Sequence, residues 1–432
     1  MTTPQKNAAH VLVLGGNFAG LGCAQEVRKL AGDAARITVV DRKSYLLFVP
    51  NIPADVFDNQ DPTLRQRMDL PTVLAKDGID FIQAEVREID VERRRVRMTP
   101  NERPGAEDEW LGYDYLVVAV GARLAFERIE GFAEHGHTVA DLFHGNRLRR
   151  HLHEGGYKGG PVAIGSARFH QGDGARGLEP YPGGRIPDAL AACEGPPVEV
   201  MLSMATWLQK HKLGDAKKVT VFTPAEMIAE DAGVTVVEQL LGIASTMGFG
   251  YVNKGQDIRR LTAEGVELAS GATIDAELKI IFPDWVAHDF LRGLPISDSE
   301  GFVVTDLLMR NPRYPNVFAA GDCAAVTVPK LGAIGHQQCE IVSRQIAKSL
   351  GRLAPAQADA PLAPIVLCIG DMGAGKAFYI HSNTWYGGDA AVLRMGRIPY
   401  LLKMRYRDLF MLSDGKTPPW GVDMAEFMAE VL

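Results

Sequence analysis

The sequence is poor in the features that mark nucleic-acid-binding, disulfide-rich or membrane-spanning proteins. It has 46 Lys and Arg residues against 53 Asp and Glu residues, so no excess of positive charge is available for phosphate backbones. Its five cysteines are scattered and odd in number, which excludes a disulfide scaffold and favours a reducing compartment. No apolar run reaches the ~18 residues of a transmembrane helix, and residues 1–10 lack the apolar core of a signal peptide. We therefore expect a cytoplasmic protein, or one attached to the cytoplasmic side of a membrane without crossing it.

The composition is that of a globular protein with many tight turns. Hydrophobic residues make up 46% of the chain and charged residues 23%, close to the globular average. The length of 432 residues suggests two or three domains, and 45 glycines with 25 prolines suit frequent turns between strands and helices. No Cys/His spacing resembles a zinc or iron–sulfur site, so we predict no metal.

The first 41 residues carry the pattern of a dinucleotide-binding unit. An apolar strand at residues 11–14 is followed by a glycine-rich turn, a helix at 21–30 and a second strand at 37–40 that ends in Asp41. The turn consists of Gly15, Gly16, Asn17, Phe18, Ala19 and Gly20. Its glycines let the backbone approach a pyrophosphate at the helix N-terminus, and Asp41 is placed to accept hydrogen bonds from the adenosine ribose. The alternative is an ordinary strand–helix turn.

This turn departs from the strict G-x-G-x-x-G motif at one position, where Asn17 replaces the second glycine. Asparagine tolerates left-handed backbone angles better than most residues, so we expect the turn to be retained with less room beside the phosphate. The dinucleotide prediction therefore depends on the flanking strands and Asp41 as well as on the glycines.

A second β/α pattern lies in the middle of the chain. We expect a strand at residues 161–165, a helix at 198–213 and a strand at 219–222. The stretch between the first strand and the helix is rich in glycine but has no G-x-G-x-x-G motif, and the second strand runs into Thr223 rather than an acidic residue. A domain of this shape normally binds NAD(P)H, so we predict that the scaffold is retained and the nicotinamide site is lost.

The last part of the chain contains a strand, a linker and an amphipathic stretch. The strand at residues 316–320 runs into a Gly-Asp turn, a Pro-rich linker follows residue 350, and two further strands are expected within 365–382. Between Leu393 and Leu412, apolar residues alternate with arginines and lysines. This stretch suits either the membrane interface or a core-packing helix with a solvated basic face.

Three motifs together resemble the two-dinucleotide-binding-domain flavoproteins. They are the turn at 15–20 with Asp41, the strand at 113–122, and residues 317–322. The resemblance implies FAD as the cofactor. The residues that it implies for binding FAD are Gly15, Gly16, Asn17, Phe18, Ala19, Gly20, Asp41, Arg42, Gly121, Gly321, Asp322, Lys330 and Gly332.

Two cysteine segments narrow the resemblance within this superfamily. Residues 193–199 and residues 364–373 are similar to the redox-cysteine segments of sulfide:quinone oxidoreductases and flavocytochrome c sulfide dehydrogenases. In those families the two cysteines lie beside the flavin and form a disulfide or sulfur-bridged centre, which implies this role for Cys193 and Cys368. Cys339, on the helix expected to approach the flavin, is the rival partner of Cys193. The plainer alternative is that each cysteine is a small buried apolar residue.

Three ionisable side chains are candidates for proton transfer near this centre. Glu199, six residues after Cys193, matches a glutamate of these families. It is either a proton carrier near the sulfur or a partly exposed helix acid in a salt bridge. His170 and His336 are weighed as proton carriers against structural, hydrogen-bonded histidines.

Two departures from the family pattern refine these expectations. Many bacterial sulfide:quinone oxidoreductases have a third cysteine, which is absent around residues 137–141. The stretch 44–50, where the flavocytochrome family attaches FAD, also has no cysteine, so non-covalent FAD is expected.

The resemblance implies a FAD-dependent enzyme that oxidises sulfide to persulfide or polysulfide sulfur at a cysteine pair and passes the electrons to quinone. The partners would be a sulfur donor, a quinone and a membrane surface, with no nucleic acid, and both a monomer and a homo-oligomer stay open. The alternatives are a type II NADH:quinone oxidoreductase, a flavocytochrome-type subunit, and a redox-inactive FAD-binding sensor or scaffold.

We predict an α/β protein with tandem Rossmann-like domains and a C-terminal interface region. The FAD-binding domain is expected to be discontinuous, at residues 1–122 and 299–350. A degenerate NAD-type domain is expected at residues 123–298. The redox-cysteine and quinone/membrane-contact region is expected at residues 351–432.

Overall fold

The computed structural model describes residues 8–101, 105–174, 188–254, 257–326 and 329–416. The second half of the predicted glycine-rich stretch, and the predicted C-terminal region after residue 416, lie outside the described residues.

The described parts of the chain contain short strands and helices of very different lengths. The strands are β1 Ala9–Leu14, β2 Ala35–Asp41, β3 Tyr45–Leu47, β4 Arg67–Asp69, β5 Asp80–Asp90, β6 Arg95–Pro100, β7 Glu109–Gly112, β8 Tyr115–Val118, β9 Arg123–Leu124, β10 Gly136–His137, β11 Val162–Ser166, β12 Val219–Phe222, β13 Gly250–Val252, β14 Ile258–Leu261, β15 Gly265–Leu268, β16 Thr273–Asp275, β17 Leu278–Phe282, β18 Trp285–Val286, β19 Val317–Ala319, β20 Val366–Gly373, β21 Lys376–Ser382 and β22 Ala391–Gly396. The helices are α1 Phe18–Ala31, α2 Ile52–Phe57, α3 Pro62–Arg65, α4 Leu70–Lys76, α5 Phe132–His135, α6 Leu142–His153, α7 Gly195–Lys210, α8 Val234–Met247, α9 Gly332–Ser349, α10 Pro355–Ala358 and α11 Arg397–Leu412.

The first large sheet has the strand order β19-β8-β1-β2-β5-β6-β7. Its strands from β19 to β5 run parallel, and β6 and β7 continue it in antiparallel fashion. Almost every residue of β1 and β8 is apolar and buried, as expected of central strands in a parallel sheet. Because β19 joins β8 from far along the chain, two distant stretches of sequence contribute strands to this sheet.

The second large sheet is parallel throughout, with the order β10-β17-β11-β12-β13. The predicted strands at 161–165 and 219–222 correspond to β11 and β12, with α7 between them. The α7 helix begins at Gly195 rather than at the predicted residue 198, because two prolines occupy its first turn, where a missing N–H costs nothing. Two parallel sheets with intervening helices confirm the predicted α/β class.

A third sheet, with the order β20-β21-β22, is antiparallel and carries the C-terminal cysteine. The α7 helix holds it through two hydroxyls: Ser203 donates to the Asp371 carbonyl at 2.9 Å, and Thr206 donates to the Met372 carbonyl at 2.6 Å. The predicted continuous amphipathic stretch from Leu393 is wrong in its first part, since residues 391–396 form β22 and the helix begins at Arg397. Cross-strand pairing with β21 overrides the helical pattern there.

Candidate flavin and cysteine site

The turn after β1 brings α1 unusually close to the first sheet. Gly15 has a φ of 98°, and a Cβ atom there would lie 2.2 Å from the carbonyl oxygen of Ala119. A Cβ atom on Gly20 would lie 1.8 Å from the carbonyl oxygen of Gly15. Only glycine fits at these two positions, so the backbone of the turn is left bare for a close-lying ligand.

Asn17 plays a different part from the one that the sequence suggests. Its φ of −84° and ψ of −163° are extended, so its tolerance of left-handed angles is not used, and Gly15 takes the left-handed angle in this turn. The side-chain carbonyl of Asn17 accepts a hydrogen bond from the Leu47 amide at 2.9 Å. Asn17 therefore fastens β3 to the glycine turn.

The acid at the end of β2 is held against the same turn. The two carboxylate oxygens of Asp41 accept hydrogen bonds from the Gly16 amide at 2.7 Å and the Lys43 amide at 2.8 Å. Arg42, between them, is exposed. This carboxylate has remaining lone pairs for the ribose hydroxyls that the sequence analysis assigns to it.

Two long helices present free N-termini to the same region. The α1 helix begins at Phe18 and the α9 helix at Gly332, and neither has an acidic residue in its first turn or a side-chain cap. A Cβ atom on Gly332 or on Gly121 would meet no atom within 4 Å. Within the described residues, no side chain caps the first N–H groups of either helix, and open space lies beside Gly121 and Gly332.

The Gly-Asp turn after β19 fits between these two helices. Gly321 has a φ of 76°, and its amide donates to the Gln338 side chain at 2.7 Å. A Cβ atom on Gly321 would lie 3.0 Å from the Cβ of Ala19, and one on Gly335 would lie 3.5 Å from the Cα of Gly321. Small residues at these contacts let α1, α9 and the turn converge.

A carboxyl and an ammonium group interact beside this turn. Burial raises the pKa of Asp322 to about 6, and Lys330 opposes the rise. Burial also disfavours the charged form of Lys330, and it lowers the pKa of this lysine to about 8. The Lys330 ammonium donates to the Ala324 carbonyl at 2.8 Å and lies 4.6 Å from the ring centroid of Phe302. The pKa values of both groups therefore lie within about one unit of neutral pH.

These features fit FAD. The bare glycine turn and the free end of α1 suit its pyrophosphate, Asp41 suits its adenosine ribose, and the open space beside Gly121 and Gly332 suits its flavin half. The predicted cofactor residues of the two separate stretches, 15–42 and 321–332, are brought together by α1 and α9.

The two predicted redox cysteines meet at the start of α7. Cys193 lies two residues before α7, and Cys368 is the third residue of β20. The sulfur of Cys368 lies 3.0 Å from the point where a Cβ atom on Gly195 would stand. The Gly195 amide also donates a hydrogen bond to the Cys193 sulfur, so both sulfurs face this glycine. All five cysteines of the chain are free in this structure.

The surroundings of both thiols disfavour their charged form. The pKa of Cys193 is raised well above its ordinary value by burial, with the Asp231 carboxylate adding to the rise. Burial, reinforced by Glu199, raises the pKa of Cys368 to about 12, and Lys403 opposes the rise. A neutral thiol or disulfide therefore suits this site better than a thiolate does.

Glu199 is neither exposed nor free. It is buried on α7 and forms an ion pair with Lys403, which is buried on α11. Its Oε1 also accepts a hydrogen bond from the Asp371 amide at 2.9 Å. The expected alternative of a partly exposed acid is therefore wrong, whereas the expected salt bridge is present. Burial raises the pKa of Glu199, and Lys403 opposes the rise.

Sequence reasoning missed two charged residues at this site. It counted Lys403 among the solvated cations of the amphipathic stretch, although the apolar residues on either side of it were a signal that this lysine points inward. Asp231 carried no motif at all, and it acts on Cys193 because two loops of the second sheet are hydrogen-bonded to each other there. Both residues act on the cysteines through tertiary contacts.

Cys339 lies with Cys23 and not with Cys193. Both thiols are fully buried between α9 and α1, where they interact with each other. The pKa of Cys339 is lowered to about 6 by Cys23 and by His336. The structure therefore brings Cys368, rather than Cys339, to Cys193, and His336 to Cys339.

His170 is held in a separate cluster. Its Nδ1 lies 2.8 Å from an Oδ2 atom of buried Asp284, which also accepts from Arg128 at 2.5 Å. This arrangement orients the half-exposed imidazole at the end of β11 and does not bring it to the cysteines.

An aromatic cluster joins the glycine turn to the C-terminal helix. The ring centroid of Phe410 lies 5.3 Å from that of Phe18 and 5.4 Å from that of Phe48. Tyr406 extends the cluster, with its centroid 6.3 Å from Phe48. The cluster is apolar, partly exposed through Tyr406, and starts at the first residue of α1.

The described residues lack two further features, a cluster of metal ligands and a membrane-spanning helix. Across the described ranges, no three His, Cys, Asp or Glu side chains are grouped so that they could hold a metal ion. None of the helices in the described part of the chain is both long and apolar enough to cross a membrane.

Comparisons with known proteins agree with this geometry. Residues 9–171 match the family model of the pyridine nucleotide-disulphide oxidoreductases. A sulfide-quinone reductase of Aquifex aeolicus (strain VF5) is 23% identical over 431 residues, covering 94% of this chain and 90% of that protein. An NADH dehydrogenase-like protein of Mycobacterium tuberculosis is 27% identical over 393 residues, covering 85% of this chain and 87% of that protein. The X-ray structure of the Aquifex aeolicus sulfide:quinone oxidoreductase superposes with a TM-score of 0.80 at 20% identity, covering 98% of this chain and 96% of that one.

The matched domain and the two parallel sheets define the class. This chain is a flavoprotein oxidoreductase with tandem dinucleotide-binding sheets, and FAD is its cofactor. Within that class, the predicted resemblance to the sulfide:quinone oxidoreductase family is confirmed.

Proposed function

We propose that this enzyme oxidises sulfide to persulfide or polysulfide sulfur at Cys193 and Cys368 and passes the electrons to a quinone. The observation that carries the proposal is the contact of both sulfurs with Gly195, although 175 positions separate the two cysteines in the sequence. Bound FAD supplies the two-electron acceptor between the sulfur centre and the quinone.

The chemistry at the cysteines is thiol–disulfide exchange. Sulfide attacks one sulfur of a Cys193–Cys368 disulfide, so a new sulfur–sulfur bond forms, the old one breaks, and the second cysteine leaves as a thiolate. Burial supports the disulfide as the resting form, because it is neutral whereas two buried thiolates are not. Lys403 supports thiolate formation at Cys368, since its ammonium lowers the pKa of that thiol.

We propose the aromatic cluster of Phe18, Phe48, Tyr406 and Phe410 as the contact surface for the quinone ring. Aromatic rings stack favourably at centroid distances of about 4.5–7 Å, and the cluster already has this spacing. Its link to the first residue of α1 keeps it beside the proposed flavin site.

A type II NADH:quinone oxidoreductase is the second candidate, because the Mycobacterium tuberculosis relative is named as NADH dehydrogenase-like. Against it, no G-x-G-x-x-G motif for a second pyrophosphate directly follows β11 in the sequence. The residue after Phe222 is Thr223 and not an acid that could bind a ribose.

One anaerobic experiment separates the two functions. Sulfide, added in steps to the purified yellow protein, is expected to bleach the flavin absorbance, and a quinone is expected to restore it. NADH at the same concentrations is expected to leave the spectrum unchanged. Prompt bleaching by NADH without bleaching by sulfide would favour the second candidate, and bleaching by neither would favour the sensor or scaffold.

We propose that the exposed side of α11 attaches the enzyme to the cytoplasmic surface of a membrane. Ile398, Leu401 and Leu412 are large apolar residues with 48%, 56% and 83% of their surface exposed. Arg397 and Arg405 are exposed on the same helix and complement anionic headgroups. The opposite side of α11 is buried, so the helix packs on the core and presents an apolar, basic surface at once.

Replacing both Ile398 and Leu401 by glutamate should weaken binding to anionic vesicles by about 10-fold or more, because each change exchanges apolar contact for repulsion. Vesicle flotation measures the bound fraction. The matched control is Leu64→Glu on α3, which is 81% exposed but not part of α11. Equal loss in both variants, or no loss in either, would contradict the assignment of α11.

The predicted division into domains at residues 1–122 with 299–350, 123–298 and 351–432 is retained as a proposal. Its support is that β19 pairs with β8 in the first sheet, while the second sheet uses strands between residues 136 and 282.

A further inference from the structure

A tight turn at residues 229–231 is tied to the loop that carries Cys193. The carboxylate of Glu194 accepts a hydrogen bond from the Ala229 amide at 2.8 Å. In the other direction, the carboxylate of Glu230 accepts from the Leu190 amide at 3.2 Å. These two bonds flank Cys193 on both sides, so the position of the turn relative to the sulfur is fixed.

The strained backbone of this turn determines the position of Asp231, its last acidic residue. Ala229 has a φ of 55°, a left-handed angle that alanine rarely adopts. The strain is retained because the Glu194 bond to the Ala229 amide holds it in place. The short helical turn that follows turns Asp231 inward, where only 8% of its surface is exposed.

Asp231 lies on the turn that these two hydrogen bonds tie to the cysteine loop, and its charge acts on both redox sulfurs. Among the neighbouring side chains, Asp231 contributes the largest rise in the pKa of Cys193. Its charge also raises the pKa of Cys368 across the site. Within the described residues, no lysine, arginine or histidine forms an ion pair with Asp231. Burial raises its pKa to about 6, so it is mostly ionised at neutral pH and still able to take up a proton.

The other ionisable groups around the turn are less suited to taking up a proton at neutral pH. Glu199 is engaged by Lys403 and the Asp371 amide, and burial raises the pKa of Glu194 to about 8, so Glu194 already carries a proton at neutral pH. Glu230 bonds to the backbone of the loop. The ionisable groups on this turn, on the cysteine loop and on the elements packed against the turn include Cys193, Glu194, Glu230, Glu238, Tyr379, His381 and Tyr386, with Cys368 across the site.

We infer that Asp231 is the base that takes the proton of hydrogen sulfide when the disulfide of the proposed function is opened. The sulfide sulfur forms a bond to one cysteine sulfur as its S–H bond gives up a proton to the Asp231 carboxylate. The bond between the two cysteines breaks, and its electron pair stays on the leaving cysteine as a thiolate. One persulfide, one thiolate and one protonated Asp231 result, with no change in the total number of electrons. This inference rests on the proposed function.

The test is Asp231→Asn in the holoenzyme, with the persulfide formed on the protein measured by rapid quenching and mass spectrometry. Hydrogen sulfide loses its first proton near neutral pH, so a base is needed at low pH and is superfluous at high pH. We expect the variant to form the persulfide about 4- to 10-fold more slowly than the wild type near pH 6.5, where part of the sulfide is already ionised, and the two rates to agree within about 1.5-fold near pH 9.

The pH dependence separates acid–base action from structural damage. A structural role would slow the variant equally at both pH values, and that result would overturn the inference, as would wild-type rates throughout. Asp55→Asn is the matched control, since Asp55 is a buried aspartate whose pKa is also raised by burial. Its rate ratio to wild type should not change with pH. If the wild type itself forms no persulfide with sulfide, the proposed function fails first.

Discussion

Replacing Cys368 by serine is expected to slow flavin reduction by sulfide by ~10³-fold or more. The hydroxyl of serine cannot form the disulfide that sulfide attacks, and Cys193 alone has no partner within reach. The sulfur of Cys368 lies beside Gly195 at the start of α7, and the smaller oxygen of serine fits the same space. Anaerobic stopped-flow absorbance at the flavin band, with sulfide in excess, measures the rate. Cys193→Ser is expected to give the same result, because both sulfurs belong to one bond.

The matched control is Cys323→Ser. Cys323 is buried beside the Gly-Asp turn, and its thiol donates to the Val118 carbonyl at 3.1 Å, a bond that a serine hydroxyl can also make. This variant should retain both FAD and the wild-type rate. Sulfide-driven reduction that survives in Cys368→Ser and Cys193→Ser alike would remove the cysteine mechanism and leave only a flavoprotein that reacts with sulfide directly.

Replacing Lys403 by methionine is expected to reduce the free energy of unfolding by about 3–5 kcal/mol, because it leaves the buried Glu199 carboxylate without its cation. Urea unfolding of the holoenzyme, followed by tryptophan fluorescence, measures the loss. The double variant Glu199→Gln with Lys403→Met should recover most of it, since two neutral side chains of similar size then fill the same space. Equal instability of the single and double variants would mean that packing, and not charge, holds α11 to α7.

The loss in Lys403→Met should grow as the pH rises. Without the cation, burial raises the pKa of Glu199 further above the ordinary glutamate value of 4.5. The folded state then keeps a proton that the unfolded state releases, so the folded state becomes less favoured at each higher pH within that range. Unfolding curves near pH 5 and near pH 8 should therefore diverge in the single variant more than in the double variant.

The dinucleotide elements were predictable because they depend on local sequence. The run from Val11 to Leu14 forms a buried strand, and Gly15 and Gly20 are required by contacts with residues close in the chain or in the adjacent strand. The conformation of Asn17 was not predictable, because its side chain bonds to Leu47 across the turn. The helical pattern before Arg397 failed for a similar reason: pairing with β21 decides that segment.

At the cysteine site, too, some residues were predictable from the sequence and others depend on tertiary contacts. The segments around Cys193 and Cys368 could be singled out through their family resemblance, and so could Glu199. Only its apolar neighbours distinguish Lys403 from the exposed cations of α11, and nothing in the sequence marks Asp231. Their positions follow from how α11 packs on α7 and how two loops of the second sheet meet.

The sequence by itself determined the α/β class, the glycine turn with Asp41, the absence of a nicotinamide motif and the cysteines to examine. These are properties of short segments, whose periodicity and turn residues act locally. Only the tertiary structure decided that Cys368 rather than Cys339 lies near Cys193, that Glu199 is buried against Lys403, and that the charge of Asp231 acts on both sulfurs. Such contacts join residues far apart in the chain, and their charges interact strongly because packing excludes water from between them.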